Sequence, residues 1–297
     1  MKRILLLIGV WGIIWVLSAT SLFIRETQKA AEQGDTEAQV SMGDCYFFGL
    51  GVDKDAAEAL RWYRLAAENG DICVQYKLGN AYFNGTGVPQ DYAEAIKWYR
   101  LAADQGLADA QFILGECYYL GKGVEVDIPE AIKWYRLAAQ QGNAWAQNIM
   151  GDSYFLGVGV ERDLKQAEKW YARSAEQGYA WAQFRMGNRF LNGVGVNADP
   201  VKALHWYRKA AQQGHVGALT KLAELQLEGE IVESNPREAY INLLLASLID
   251  PDPDPLRQET SQSLERSLTA SEIDSAAAEA EKRFSRILKR KETSRKK

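Results

Sequence analysis

Residues 71–106 read DICVQYKLGNAYFNGTGVPQDYAEAIKWYRLAADQG, and residues 107–142 read LADAQFILGECYYLGKGVEVDIPEAIKWYRLAAQQG. Set one above the other they align without a gap, and the same register extends outward in both directions. Gly34, Gly70, Gly106, Gly142, Gly178 and Gly214 recur every 36 residues, as do Gly49, Gly85, Gly121, Gly157, Gly193 and Gly229. The pairs Trp62-Tyr63, Trp98-Tyr99, Trp134-Tyr135, Trp170-Tyr171 and Trp206-Tyr207 keep the same spacing. Self-similarity at such a period marks a stack of units, each too small to bury its own apolar face and so dependent on its neighbours.

Inside each unit the apolar spacing is helical. Ala38, Met42 and Tyr46 recur in steps of four, then Ala59, Tyr63 and Ala66 in steps of four and three. Each repeat is therefore predicted to be two helices. Gly49 and Gly51 end the first, because glycine takes positive φ cheaply, and Asp55 stands where the second would be N-capped. Gly43, Gly79, Gly115, Gly151 and Gly187 fall inside the first helix despite a cost of about 1 kcal/mol each, which predicts a close helix crossing. The Trp-Tyr column reads as core between layers. The column Gln39, Gln75, Gln111, Gln147, Gln183 reads as a structural amide.

The pattern A-x-x-G, then A-x-x-x-[ML]-G-x-x-Y-x-x-G-x-G-V-x-x-D-x-x-x-A-x-x-W-Y, runs from Ala31 to Tyr63 and starts again at Ala67, Ala103 and Ala139. It resembles the Sel1-like repeat, a relative of the tetratricopeptide repeat, over residues 31–246. The resemblance implies an all-α fold, a right-handed α-solenoid of six helix-turn-helix repeats. It also implies that the first helices line a concave surface that grips a partner peptide. Repeat five has Phe190 for Tyr. Repeat six departs further, with Ala223 and Ile231 for Gly and Asn242-Leu243 for Trp-Tyr, as for a terminal unit that meets solvent on one side. Beyond the turn at Pro251 to Pro255, Leu256 to Leu268 and Ile273 to Leu288 read as two capping helices within residues 251–291, the second opened by a capping box from Thr269 to Glu272.

If positions 38, 42 and 46 face the core, positions 37, 40, 41, 44 and 48 point away, and these vary between repeats. Position 37 runs Glu37, Cys73, Asp109, Trp145, Trp181, Gly217. Trp145 and Trp181, with Phe112, Ile149, Phe184 and Arg185, are the expected aromatic anchor for a protein partner; the alternative is local packing of both indoles between adjacent helices. Asn148 shares that face. Position 44 is always polar, and related arrays use an asparagine there to hold peptide backbone; Asn80 and Asn188 match best, an internal cap or water contact being the other reading. Glu58 and Arg61, Glu94 and Lys97, and Glu130 and Lys133 are three apart, a solvated face.

Of the 297 residues, 47% are hydrophobic and the net charge is −4, which excludes a disordered or collagen-like chain. The basic segment from Lys282 to the end carries nine basic residues and one acid, so residues 1–281 carry −12. An acidic body gives no footprint for nucleic acid, and residues 292–297 are read as a solvated basic tail. Lys2 and Arg3 precede the uncharged run ILLLIGVWGIIWVLSATSLFI, residues 4–24, which ends at Arg25. Residues 1–25 are thus a transmembrane anchor, or a signal peptide cleaved near Ser18 to Ser21. Either places the repeats on the non-cytoplasmic side, the periplasm of a Gram-negative cell.

Catalysis finds little support: there is no G-x-S-x-G, H-E-x-x-H or phosphate-cradling loop, and His205 and His215 are the only histidines. Cys45 and Cys117 share a column two repeats apart, roughly 20 Å by helix-pair spacing, too far to bridge. No disulfide, metal or small-molecule cofactor is expected. A cysteine-rich branch of the family, linked to penicillin binding or β-lactamase activity, staples each repeat with a Cys pair that Cys73 lacks. The expected function is a protein-interaction scaffold. The competitors are an envelope hydrolase and a polysaccharide-binding module stacking sugars on Trp145 and Trp181.

Overall fold

The computed structural model describes residues 22–252 and 254–295, and these contain helices and no strand. The chain divides into two compact units, residues 1–141 and 142–297. Among the described residues no helix is long and apolar enough to cross a membrane, and the expected anchor or signal segment, residues 1–25, lies outside the described residues except for its last four.

In the first unit, helix α1 occupies residues 22–32. Three hairpins follow: α2 (Thr36–Phe48) with α3 (Ala56–Glu68), α4 (Ile72–Asn84) with α5 (Tyr92–Asp104), and α6 (Ala108–Leu120) with α7 (Ile128–Gln140). Each boundary has a local cause. Asp55 caps α3 by accepting from the backbone N–H groups of Ala57 and Glu58 at 2.9 and 3.0 Å. Gly49 ends α2 with φ of 73°, its N–H reaching the Cys45 carbonyl. Ile24 and Ala31 of α1 pack with Met42 and Trp62, so α1 serves as the helix that precedes the first hairpin.

The glycine inside each first helix is explained by the tyrosine of the second. A Cβ on Gly79 would lie 2.5 Å from two carbons of the Tyr99 ring, a separation that real atoms do not tolerate. Without it the ring lies flat across α4, buried to 1% exposure, and its Oη donates to Asn80 Oδ1 at 2.8 Å. Trp62, Trp98 and Trp134 are likewise buried.

The glutamine column is the structural amide expected. Gln39 Nε2 donates to the Ala31 carbonyl at 3.1 Å while its Oε1 accepts from Asn69 Nδ2 at 3.0 Å. Gln75 bonds the Ala67 carbonyl and accepts from Gln105, and Gln111 bonds the Ala103 carbonyl and accepts from Gln141. Each amide satisfies both of its ends in the buried seam between successive hairpins.

The second unit repeats the plan with α8 (Ala144–Leu156) and α9 (Leu164–Glu176), α10 (Ala180–Asn192) and α11 (Pro200–Ala211), and α12 (Val216–Glu228) and α13 (Pro236–Ile249). It ends in α14 (Pro255–Ser267) and α15 (Ala270–Arg295). The reading of repeat six as a solvent-facing terminal unit is corrected. Seven of the residues of α13 are buried, because α14 and α15 cover it. Tyr240 Oη donates to Glu265 Oε1 at 2.7 Å, and Arg283 forks onto Glu238 at 2.6 and 3.2 Å. Residues 241–249 are mostly apolar, and all of them but Leu248 are at least half-buried under this cover.

Thr269 and Glu272 form the expected capping box, with bonds of 2.9 and 3.3 Å in the two directions. Helix α15 then outruns the predicted end at Leu288 and carries the start of the basic tail in helical form to Arg295. No Gly or Pro stops it, and the Glu279–Arg283 pair, 3.1 Å apart, supports it at i,i+4.

Candidate functional site

Of the eight expected partner-binding residues, Phe112 lies in the first unit and the other seven in the second. In the second unit Trp145 and Trp181 are the most open, each 53% exposed. Each is the second residue of a first helix, where the side chain leans back toward the helix N-terminus. Each meets the capping residue of the following repeat edge-on. Trp145 packs on Tyr179 with ring centroids 6.2 Å apart, and Trp181 packs on His215 at 4.4 Å. One neighbour thereby holds each indole while half of its surface stays open.

Positions 40 and 44 do not point away from the core as expected. Phe112 and Phe184 are half-buried and lean on the tyrosines of their own repeats, Tyr135 and Tyr207, both with centroids 5.9 Å apart. Asn148 is buried, 9% exposed, and donates to Asp152 at 3.3 Å. Asn188 Oδ1 accepts from Tyr207 Oη at 2.7 Å, which matches the internal-contact reading of position 44 rather than a peptide clamp. The cause is the glycine within the first helix. The tyrosine ring that it admits is wide enough to touch position 40 with its face and position 44 with its hydroxyl. Arg185 is likewise engaged, 3.2 Å from Asp152, while Ile149 is half-buried.

His215, which lies outside the expected set, joins Trp181 to Phe184. Its ring stacks on Phe184, centroids 4.6 Å apart at 27°, and carries Trp181 on its edge. It N-caps α12, its Nδ1 accepting from the Ala218 N–H at 3.1 Å. That bond puts the proton on Nε2, which is buried with no described partner. Burial, with the positive charge of Arg185 adding to it, pushes the imidazole down to about 4, so His215 is neutral at pH 7.

A signal was present in the sequence. The first-helix caps run Asp35, Asp71, Leu107, Asn143, Tyr179, His215, and the change to aromatic comes 34 residues after each tryptophan. The arrangement offers an aromatic ledge of indole faces with an arginine beside it, suited to apolar anchoring and not to proton transfer at neutral pH. His205, by contrast, is exposed on α11.

Cys45 and Cys117 are buried and Cys73 is exposed, all three as free thiols. Burial pushes the Cys117 thiol up to about 11, away from nucleophilic use. Among the described residues no cluster of His, Cys, Asp and Glu could hold a metal ion.

A profile of the Sel1 repeat matches residues 36–71, 74–107, 108–143, 146–179, 182–215 and 216–248. Among solved structures, a protective antigen of uropathogenic Escherichia coli strains displaying an SLR fold is similar at 36% identity and a TM-score of 0.76, over 88% of this chain and 56% of that one. The chain thus spans little more than half the length of that antigen. A Sel1 repeat protein from Oxalobacter formigenes is similar at 32% identity and a TM-score of 0.64, over 80% of this chain and 99% of that one. No curated protein matches.

Proposed function

The chain belongs to the Sel1 repeat family, and on that premise we propose that it is a protein-interaction scaffold whose second unit docks a protein or peptide on the ledge built around Trp145 and Trp181. Sel1 repeat proteins generally mediate interactions between proteins. The observation that carries the placement is that two consecutive repeats each hold a half-exposed tryptophan, braced at one edge by the next cap. A large apolar surface ordered before binding loses little side-chain freedom on docking. Asn80, Asp152 and Asn188 at position 44 bond inside the fold and are left out of the docking surface.

The test is crosslinking in cells followed by mass spectrometry, comparing the wild type with Trp145→Ala plus Trp181→Ala. The double variant is expected to bind the captured partner about 30-fold more weakly, since an interface anchor is typically worth about 2 kcal/mol or more. Unchanged capture, or capture that an added glycan competes away, would refute the reading.

The proposal assigns residues 1–25 to anchoring or export, which sets the repeats at the cell envelope. It is supported by Lys2 and Arg3 ahead of the uncharged run 4–24. In fractionated cells the full chain is expected in the membrane or exported fraction. Recovery from the cytosol would remove this part.

A further inference from the structure

The second unit holds a concentration of positive charge that neither the repeats nor the Trp145–Trp181 ledge uses. Between α11, α12, α13 and α15 lies a cavity of about 450 Å³ whose rim bears Arg208, Arg283, Arg286 and Arg290 against one carboxylate, Glu238. The contrast is sharp in a chain whose first 281 residues carry −12.

Structure accounts for one of the four. Arg283 forks onto Glu238 and also bonds Glu279 at 3.1 Å, tying α15 to α13. Arg208, Arg286 and Arg290 are exposed, and among the described residues no carboxylate lies within ion-pair distance of any of them. Arg290 spends one donor on the Gln212 carbonyl at 3.3 Å, at the end of α11, and keeps the rest of its fork. Arg208, Arg286 and Arg290 gather around carboxylates that Arg283 already engages, and such an excess of guanidinium groups repels itself and lowers stability, so their convergence points to an anionic occupant.

The shape narrows the class. The floor is apolar, the outer surface of the core residues Leu219, Leu222, Leu245 and Ile287, each less than a tenth exposed. The cavity continues along α15 into a second of about 850 Å³, sharing Gln212, Ile287 and Arg290 and adding Lys289 and Lys291. A long trough with a greasy floor and forked cations on its rim suits an extended chain carrying alternating apolar and carboxylate side chains, and is larger than a single anion needs. We propose that this trough is a second docking site, which takes an acidic peptide segment of a partner protein with its carboxylates on Arg208, Arg286 and Arg290 and an apolar side chain on the leucine floor. The site is independent of the tryptophan ledge.

The test uses the full chain in detergent micelles and fluorescence anisotropy of a dye-labelled octapeptide of alternating glutamate and leucine. Binding is expected to weaken at least tenfold in the combined variant Arg208→Ala, Arg286→Ala, Arg290→Ala, and to weaken similarly between 50 and 500 mM salt. The corresponding Lys variant should retain part of the affinity, and Trp145→Ala plus Trp181→Ala should leave it unchanged. Hydrogen exchange should show α15 protected by the peptide, a readout that does not depend on any variant folding. The proposal is overturned if a glutamine-leucine peptide binds equally or if the Arg variant, shown by circular dichroism to be folded, binds as the wild type does. It is also overturned if inorganic phosphate or phosphatidylglycerol vesicles, and not the peptide, bind in an arginine-dependent way. Self-association abolished by the Arg variant would overturn it in favour of a second copy of the chain.

Discussion

Tyr99→Ala is expected to lower the unfolding free energy by about 4 kcal/mol, within the range for truncating a fully buried aromatic. The ring is 1% exposed, fills the space that Gly79 leaves open, faces Tyr76 at 5.8 Å and donates through Oη to Asn80. Truncation leaves both a cavity and an orphaned amide oxygen. Gly79→Ala probes the same contact from the other side and supplies a sign. At an open helical position that change stabilises by up to about 1 kcal/mol. Here the new methyl strikes the ring at 2.5 Å, so a net loss of about 2 kcal/mol is expected. Urea unfolding followed by both circular dichroism and tryptophan fluorescence checks both variants, two probes being needed because repeat arrays depart from two-state behaviour. Stabilisation by Gly79→Ala would contradict the packing described.

The second large effect belongs to His215 and to pH. The free imidazole titrates at 6.5 and the folded one at about 4. At pH 7 both folded and unfolded chains hold it neutral. Below 6.5 the unfolded chain takes up a proton that the folded chain refuses until about pH 4, so the folded state loses stability as pH falls through that window and no more below it. The full loss is on the order of 3 kcal/mol, at about 1.4 kcal/mol per decade of proton affinity. Geometry explains the refusal. A proton added at Nδ1 would point at the Ala218 N–H that the same atom now accepts, and would set a positive charge at a helix N-terminus beside Arg185. His215→Asn keeps a capping oxygen and does not titrate. Denaturant melts of both proteins between pH 7.5 and 4 should show the wild type losing its advantage as the pH drops. Parallel curves would refute the assignment.

The hairpins, their caps and the glutamine amides could be read from the sequence because each depends on neighbours at a fixed spacing. Asp55, Gly49 and Gln75 do their work within a hairpin or one repeat away. The errors came where one large side chain spans what a helical wheel separates. Tyr207 reaches both Phe184 and Asn188, which a count of 100° steps places outside the core. Asn148 is buried although its column varies, since variation between repeats records changing neighbours as readily as solvent. The end of α15 was missed because sequence marks helix stops, and residues 289–295 contain none. His215 is hard to read from sequence because its role is that of a neutral cap, and an imidazole is not among the side chains that mark a helix N-terminus.

The side-chain amide of Gln75 reaches eight residues back to Ala67 in the preceding repeat and thirty forward to Gln105 at the end of its own. A molecule joined in this manner carries no instruction about its own length. Excising residues 71–106 would set Leu107 after Gly70, and Gln111 would find the carbonyl of Ala67 where that of Ala103 had been. Like would meet like, and the reach of such a chain can be shortened or extended one graduation at a time without redesigning any joint.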